Sequence, residues 1–176
     1  PGITVEIGLG KSPITSELIV EIMDLPGTYS LIPDSMDERI VAQQVLQWMQ
    51  GKDKPLAIIS VVDATNLNRN LYLTSQLLDL DIPIIVALNM MDHVRRRKQK
   101  INPVNLKNLL GVTAVVPMSA REKWGISELK KAIADLQRTR GLVSALKLDV
   151  GEAIYKQLQP LVNFFSSKCK YSKDLA

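Results

Sequence analysis

This 176-residue chain contains four apolar runs that each end at a polar residue, and few folds accommodate such a pattern. The runs cover residues 19–23, 56–62, 82–88 and 113–118, and they lead into Asp24, Asp63, Asn89 and Ser119. Continuous apolar runs of this length are typical of buried strands, and stretches with helical spacing lie between them. The pattern predicts an α/β fold, with a mixed, mostly parallel sheet, flanking helices and a ligand site at the carboxyl ends of the strands.

Length and composition are those of one domain with a short addition. With 46% hydrophobic residues, the chain can bury one core, which we assign to residues 1–140. Residues 141–176 are expected to be the start of a helical appendage, with a kink at Pro160. The single cysteine, Cys169, excludes an internal disulfide. No apolar run reaches the roughly 20 residues of a membrane-spanning helix, so we expect this part of the protein to be soluble.

The formal charge of +4 is mild, and the basic residues are scattered except around Arg95-Arg96-Arg97-Lys98. A short basic run of this kind is typical of a solvated helix end. A contact with nucleic acid or lipid is the weaker alternative, and we expect no nucleic-acid partner.

The first 23 residues are expected to form an edge hairpin. Residues 3–7 alternate like an edge strand, residues 8–13 are predicted as a turn, and residues 17–23 as the antiparallel partner. Gly10-Lys11-Ser12 matches the end of a phosphate-binding P-loop, but Val5 stands where the motif requires its first glycine and Pro13 follows. We therefore reject a P-loop here, and no other stretch of the 176 residues contains that motif.

Helix signals follow the predicted strands. Residues 34–38 predict a capped, acidic helix start. Pro103 predicts a helix within residues 102–111, with Leu109 facing inward, and Gly125 predicts the start of a last helix. Residues 63–66 are predicted to form a turn and a helix cap rather than a ligand site.

Asp24 and Gly27 are the first candidate binding residues in the chain. A carboxylate at the end of a strand suits a hydrated magnesium ion, and a glycine three residues later lets a backbone N–H approach a terminal phosphate. An ordinary turn containing Pro26 accounts for the same residues, so this stretch alone leaves both interpretations open.

The order of the motifs resembles that of guanine-nucleotide-binding domains. Asp24-x-x-Gly27 is followed by Asn89-x-x-Asp92 and then by Ser119-Ala120. Residues 1–6, 24–31, 62–73 and 87–92 are similar, more narrowly, to the cytoplasmic G domain of FeoB-type bacterial ferrous iron transporters, which are translation-factor-like GTPases. The resemblance covers about residues 1–138. In such proteins a first strand and a P-loop precede the segment that resembles residues 1–4, so we expect a G-domain fold from switch I onward.

The resemblance implies a site for GTP. Its residues would be Pro1, Gly2, Ile3, Thr4, Val5, Asp24, Leu25, Pro26, Gly27, Asn89, Met90, Met91, Asp92, Ser119, Ala120 and Arg121.

The same resemblance implies a role for each of these motifs. Thr4 and Asp24 would hold Mg²⁺, Asp24 through a water, and Gly27 would donate its N–H to the terminal phosphate. Asp92 would accept both guanine donors, while the Ala120 N–H would meet the guanine carbonyl oxygen. Asn89 would bridge the loops, and Met90 stands where many G domains have lysine.

Hydrolysis is expected to be slow. Thr28 occupies the place of the glutamine that positions the attacking water in Ras-like proteins, and threonine is too short for that role. No catalytic residue is assigned beyond this Thr28 region.

The resulting expectation for the intact parent protein is a GTP-binding, GTP-hydrolysing regulatory domain of a ferrous iron membrane transporter, with Mg²⁺ as cofactor. This chain by itself lacks the P-loop and is expected to bind nucleotide poorly or not at all. The expected partners of the parent are GTP or GDP and the membrane portion of the same polypeptide, at the cytoplasmic face of the bacterial inner membrane, with self-association as a further expectation. Two alternatives stay open: a soluble GTPase acting on ribosome or tRNA, and a non-hydrolysing interaction module that lacks the phosphate site.

Overall fold

The computed structural model describes residues 7–32 and 35–139. The predicted appendage, residues 141–176, and the predicted site residues Pro1 to Val5 lie outside the described residues.

The described residues contain five strands, five α-helices and one short 3-10 turn. The strands are β1 (Gly8–Pro13), β2 (Ile19–Asp24), β3 (Ile58–Asp63), β4 (Ile84–Asn89) and β5 (Ala114–Pro117). The helices are α1 (Met36–Met49), α2 (Leu67–Leu77), α3 (Met91–Arg96), α4 (Pro103–Leu110) and α5 (Ile126–Arg138), and the 3-10 turn is Leu78–Leu80.

A parallel three-stranded sheet forms the centre of the fold. Its order is β3-β4-β5, with Asp63 opposite Asn89 and Leu88 opposite Pro117. Every residue of β4 from Ile84 to Leu88 is buried, as expected for a parallel strand covered on both faces. This arrangement with flanking helices confirms the predicted α/β fold class.

The hairpin is present, but its predicted register is wrong. Residues 8–13, predicted as the turn, form β1 and pair antiparallel with β2, with Gly8 opposite Asp24. The turn lies instead at residues 14–18, where the Ile14 N–H donates to the Leu18 carbonyl (2.8 Å) and the Thr15 hydroxyl accepts from the Leu18 N–H (3.1 Å). The Thr15 hydroxyl stabilises the turn at this position by accepting from the backbone N–H groups of Glu17 and Leu18.

The hairpin contacts the rest of the fold through side chains. In the described residues it is a two-stranded sheet of its own, and Ile14 and Val20 pack against the cluster of Ile85, Val116 and Ile133. β2 is largely exposed, with Ile19 at 67%, so the prediction of a buried strand at residues 19–23 is wrong. Its apolar side chains are exposed because, among the described residues, little packs against the faces of this strand beyond the contact of Val20.

The predicted helix starts are confirmed where the structure describes them. Ser35 and Glu38 form a capping box at α1, since the Ser35 hydroxyl accepts from the Glu38 N–H and the Glu38 carboxylate accepts from the Ser35 N–H. Asn102 caps α4, which has Pro103 in its first turn, although Leu109, expected to face inward, is 76% exposed. None of the helices in residues 7–32 and 35–139 has the length and apolar character needed to cross a membrane.

Candidate functional site

The carboxyl ends of the three parallel strands meet at one edge of the sheet. β3 ends at Asp63, β4 at Asn89, and β5 continues directly into residues 118–124. Backbone hydrogen bonds join these ends, from the Met118 N–H to the Leu88 carbonyl (2.9 Å) and from the Met91 N–H to the Met118 carbonyl (3.2 Å). The Asp63 carboxylate accepts from the Thr65 N–H at 2.7 Å, which confirms the predicted turn at this position. Asn66 precedes α2 as its N-cap residue but makes no side-chain capping bond, so only the position of the predicted cap is confirmed.

Asn89 joins the two loops at this edge. Its side-chain oxygen accepts from the backbone N–H of Ala120 at 3.0 Å, and its carbonyl accepts from the Ala64 N–H at 3.0 Å. Met90 follows with a φ of 62°, in the left-handed region, so the chain turns sharply from β4 into α3. This turn places the side chains of Asn89 and Asp92 beside the loop that follows β5.

Asp92 is the buried carboxylate of the site, with 4% of its surface exposed. One oxygen, Oδ1, accepts from the Ser119 hydroxyl at 3.0 Å. The other, Oδ2, is buried and has no hydrogen-bond partner among the described residues. His93 Nε2 and Arg96 Nη2 lie 3.5 Å and 3.4 Å from Oδ2, which makes them ion-pair neighbours only.

The charge on Asp92 follows from these contacts. Burial alone raises the pKa of the Asp92 carboxyl, but the Ser119 hydrogen bond, together with the charges of His93 and Arg96, lowers the pKa below its usual value. Asp92 is therefore a carboxylate at neutral pH, and Oδ2 keeps its full capacity to accept hydrogen bonds.

The loop after β5, residues 119–124, is closed on itself. Ser119 and Trp124 exchange backbone hydrogen bonds of 3.1 and 3.2 Å, and the Glu122 N–H donates to the Ser119 hydroxyl at 3.2 Å. Ser119 is 1% exposed, whereas Ala120 and Arg121 are exposed. Gly125 then turns into α5 with a φ of 84°.

Asp24 lies apart from these contacts. It is the exposed last residue of β2, and no hydrogen bond or ion pair in the described part of the chain joins it to Asn89, Asp92 or Ser119. Leu25 packs against the hydrophobic core that contains Val86 and Leu88, and Pro26 is buried, so both residues anchor the end of β2. Gly27 is exposed. The structure thus joins the 89–92 and 119–120 segments directly and leaves Asp24 and Gly27 accessible.

Residues 28–31 are fastened to α2. The Thr28 hydroxyl donates to the Ser30 carbonyl at 2.6 Å and accepts from the Ser30 N–H at 3.1 Å. The Arg69 guanidinium lies 3.6 Å from the centre of the Tyr29 ring, and the Leu31 N–H donates to Gln76 Oε1 at 2.8 Å. The Thr28 hydroxyl is therefore already used within its own turn.

The sequence predictions missed the basic side of the site. Arg96 bonds Glu122 at 2.9 Å, and the Arg95 guanidinium lies 4.2 Å from the centre of the Trp124 ring, so two arginines assigned to a solvated helix end contact the 119–124 loop. The four-residue spacing of Asp92 and Arg96 was the available signal, because such residues are neighbours on a helix. Within residues 7–32 and 35–139, no three His, Cys, Asp or Glu side chains cluster as a metal site.

Comparisons with known proteins agree on one family. The family described as ferrous iron transport protein B matches residues 1–133. The chain is 39% identical over 172 residues to the Fe(2+) transporter FeoB of Legionella pneumophila strain Paris, which covers 96% of this chain and 22% of that protein. The chain thus spans about a fifth of the length of this curated relative.

Solved structures are similar in fold as well. The FeoB G-domain from Methanococcus jannaschii is 39% identical with a TM-score of 0.67, covering 77% of this chain and 82% of that one. The mGMPPNP-bound NFeoB from S. thermophilus is 40% identical with a TM-score of 0.68, covering 78% of this chain and 50% of that one.

Proposed function

The chain belongs to the family of ferrous iron transport protein B, and we therefore propose that it is part of a guanine-nucleotide-binding, GTP-hydrolysing regulatory domain of a ferrous iron membrane transporter. The 176 residues contain no P-loop, so the proposal concerns the full-length protein. There the domain would lie at the cytoplasmic face of the membrane and act on the transport portion of the same polypeptide.

The buried Oδ2 of Asp92, which accepts no hydrogen bond and has only the ion-pair neighbours His93 and Arg96, is the observation that supports base recognition most directly. A buried carboxylate oxygen without a hydrogen bond carries an energetic cost that a ligand donor removes. Guanine presents N1–H and N2–H₂ side by side, and a carboxylate can accept from both, whereas adenine offers no such pair. A site built around such hydrogen bonds rejects an analogue that lacks them by about 10⁴- to 10⁵-fold.

The remaining contacts would place the base in front of Asp92. The Ala120 N–H donates to Asn89 Oδ1 at 3.0 Å, and it would share or exchange this bond when it meets the guanine carbonyl oxygen. Asn89 acts as a positioning residue in this arrangement, because its side chain fixes the loop. Half-buried Met90 would supply an uncharged, polarisable contact to the face of the base.

Asp24 and Gly27 would serve the phosphate end. Magnesium is usually held by one or two carboxylates together with substrate phosphates, so a single exposed carboxylate at a strand end fits this ion. Asp24, with Thr4, would hold Mg²⁺, which supplies charge neutralisation at the β- and γ-phosphates. Gly27 is exposed, and no atom lies within 4 Å of the position of an added Cβ, which leaves room for its backbone to approach a phosphate.

Slow hydrolysis is the expected chemistry. Thr28 cannot position the attacking water for two reasons. Its side chain is shorter than that of glutamine, and its hydroxyl is already bonded to Ser30. We propose that loss of the terminal phosphate releases two segments, the one around Thr4 and residues 24–27, an order–disorder switch of the kind that GTPases use, and that α1 carries the motion.

The test is Asp92→Asn in the full-length protein, with GTP and xanthosine triphosphate (XTP) affinities measured by competition against a fluorescent nucleotide. The asparagine NH₂ would repel the guanine donors but would donate to the C2 oxygen of xanthine. The affinity for GTP should therefore fall and the affinity for XTP should rise. Asp79→Asn, at an exposed position on the 3-10 turn, is the matched control and should change neither affinity.

Two results would count against the proposal. If the unaltered full-length protein has no affinity for GTP, the proposed function is wrong and the alternative, a non-hydrolysing interaction module, is favoured. If GTP binds but the base preference of Asp92→Asn is unchanged, Asp92 does not read the base.

A further inference from the structure

Two arginines of α3 contact the loop that follows β5. Arg96 Nη2 lies 2.9 Å from Glu122 Oε1, and the Arg95 guanidinium lies over the Trp124 ring at 4.2 Å. Both partners are in residues 119–124, 26 or more positions along the chain from α3. The basic run 95–98 is therefore partly committed to an internal contact.

The Arg96 contact belongs to a closed ring of four residues. Arg96 bonds Glu122, the Glu122 N–H donates to the Ser119 hydroxyl (3.2 Å), and that hydroxyl donates to Asp92 Oδ1 (3.0 Å). Asp92 Oδ2 lies 3.4 Å from the same Arg96 nitrogen, which completes the ring. A shift of the loop away from α3 must therefore break the Arg96–Glu122 pair and strain the Ser119–Asp92 bond together.

The Arg95 contact fastens the far end of the same loop. Trp124 closes the loop by its backbone exchange with Ser119, so a cation held over its ring fixes the point where the loop rejoins the fold. Ala120, whose N–H is bonded to Asn89, lies between Ser119 and Glu122, the two loop residues of the ring.

We infer that Arg95 and Arg96 form a clamp that holds the 119–124 loop on α3 and thereby sets how long a guanine nucleotide stays bound. The inference rests on the proposed function, because the base would lie between Asp92 and Ala120. Both arginines are positioning residues: they act on the loop, and the loop contacts the base.

Each of the two contacts that form the clamp is weak. Arg96 and Glu122 are 57% and 44% exposed in their side chains, and an exposed pair of this kind changes an equilibrium by about 1.5- to 5-fold. An exposed cation–π contact has a similar effect, about 2- to 5-fold. Each contact can therefore open and close while the buried Ser119–Asp92 bond keeps the loop near its position.

The experiment measures release of a fluorescent GDP analogue from the full-length protein by stopped-flow chase with unlabelled GDP. Glu122→Gln and Arg96→Ala should each speed release about 1.5- to 5-fold, and the Arg95→Ala, Arg96→Ala double variant about 5- to 20-fold, with small changes in the association rate. Arg97→Ala is the matched control, since the Arg97 side chain has no polar or aromatic partner in the part of the chain that the structure describes, and should release GDP at the original rate.

Two further readouts separate the clamp from a general loss of structure. Salt screens an exposed ion pair, so raising the ionic strength from 0.1 to 1 M should speed release from the unaltered protein more than from Arg96→Ala. The charge exchange of Arg96→Glu with Glu122→Arg should recover part of the slow release that either single change loses.

Three outcomes would overturn the clamp. Unchanged release in Glu122→Gln and Arg96→Ala would show that the contacts do not hold the loop. Slower release or tighter binding in Arg96→Ala would show instead that Arg96 competes with guanine for Asp92 Oδ2. If the release rates of the unaltered protein and of Arg96→Ala depend equally on salt, the Arg96–Glu122 ion pair does not control release. Absence of any GDP binding would reject the proposed function itself and is recognised before release is measured.

Discussion

Replacing Gly125 by alanine should damage the loop that carries Ser119 and Ala120. Gly125 has a φ of 84°, and a Cβ added there would lie 2.5 Å from the Met118 Cβ and 2.6 Å from the Pro117 carbonyl oxygen. Carbon atoms in contact prefer separations of about 3.5 to 4.0 Å, so the backbone after β5 would have to move by about 1 Å. The clash is with backbone and with the first side-chain atom, so a rotamer change of Met118 cannot relieve it.

The cost has two sources. A residue with a Cβ loses about 1 to 2 kcal/mol in the left-handed region, and overpacking a fitted site costs about 1 to 3 kcal/mol. We expect Gly125→Ala to lower the free energy of unfolding by about 2 to 5 kcal/mol, which moves the urea midpoint down by about 1 to 2 M.

The assay is urea unfolding of the 176-residue chain followed by far-UV circular dichroism. Gly10→Ala is the matched control, because no atom lies within 4 Å of its added Cβ and its φ is not in the left-handed region. That change should be neutral or stabilise by up to about 1 kcal/mol. A Gly125→Ala chain as stable as the unaltered one would show that the 118–125 backbone can relax, and the argument for a rigid loop would be wrong.

Two further predictions concern buried polar contacts. Thr74→Val should cost about 1 to 3 kcal/mol in urea unfolding, because it leaves the buried Ser60 hydroxyl, 2.8 Å from Thr74 Oγ1, without its partner; a double variant with Ser60→Ala should recover part of that loss, and simple additivity would contradict the pairing. Ser119→Ala should raise the pKa of Asp92, followed by carboxyl NMR shifts against pH, because the hydroxyl donates to the ionised form. The folded pKa of Asp92 is lowered, so the stability that its carboxylate provides is present above the ordinary pKa of 3.8 and is lost as pH falls through the folded value. The stability difference between the two proteins should therefore shrink in acid, down to the part that comes from the Glu122 N–H, which also donates to the Ser119 hydroxyl; a difference that stays constant with pH would refute the assignment.

Local structure could be read from the sequence wherever neighbours in the chain decide it. The capping box of Ser35 and Glu38, the Asn102 cap and the strand at residues 84–88 depend on residues within one turn or on continuous burial. The hairpin register could not be read in this way, because glycines and the Thr15 hydroxyl both favour a turn and only the strand pairing selects between them.

The fold class and the order of the polar residues at the strand ends follow from the amino-acid sequence. Which of these residues are in contact depends on how the chain packs: Ser119 reaches Asp92 across 27 positions, and Ala120 reaches Asn89 across 31. These contacts depend on the register of β4 against β5, which places Leu88 opposite Pro117. The clamp of Arg95 and Arg96 was likewise hidden, because a charge run has the same local pattern whether water or a distant loop receives it.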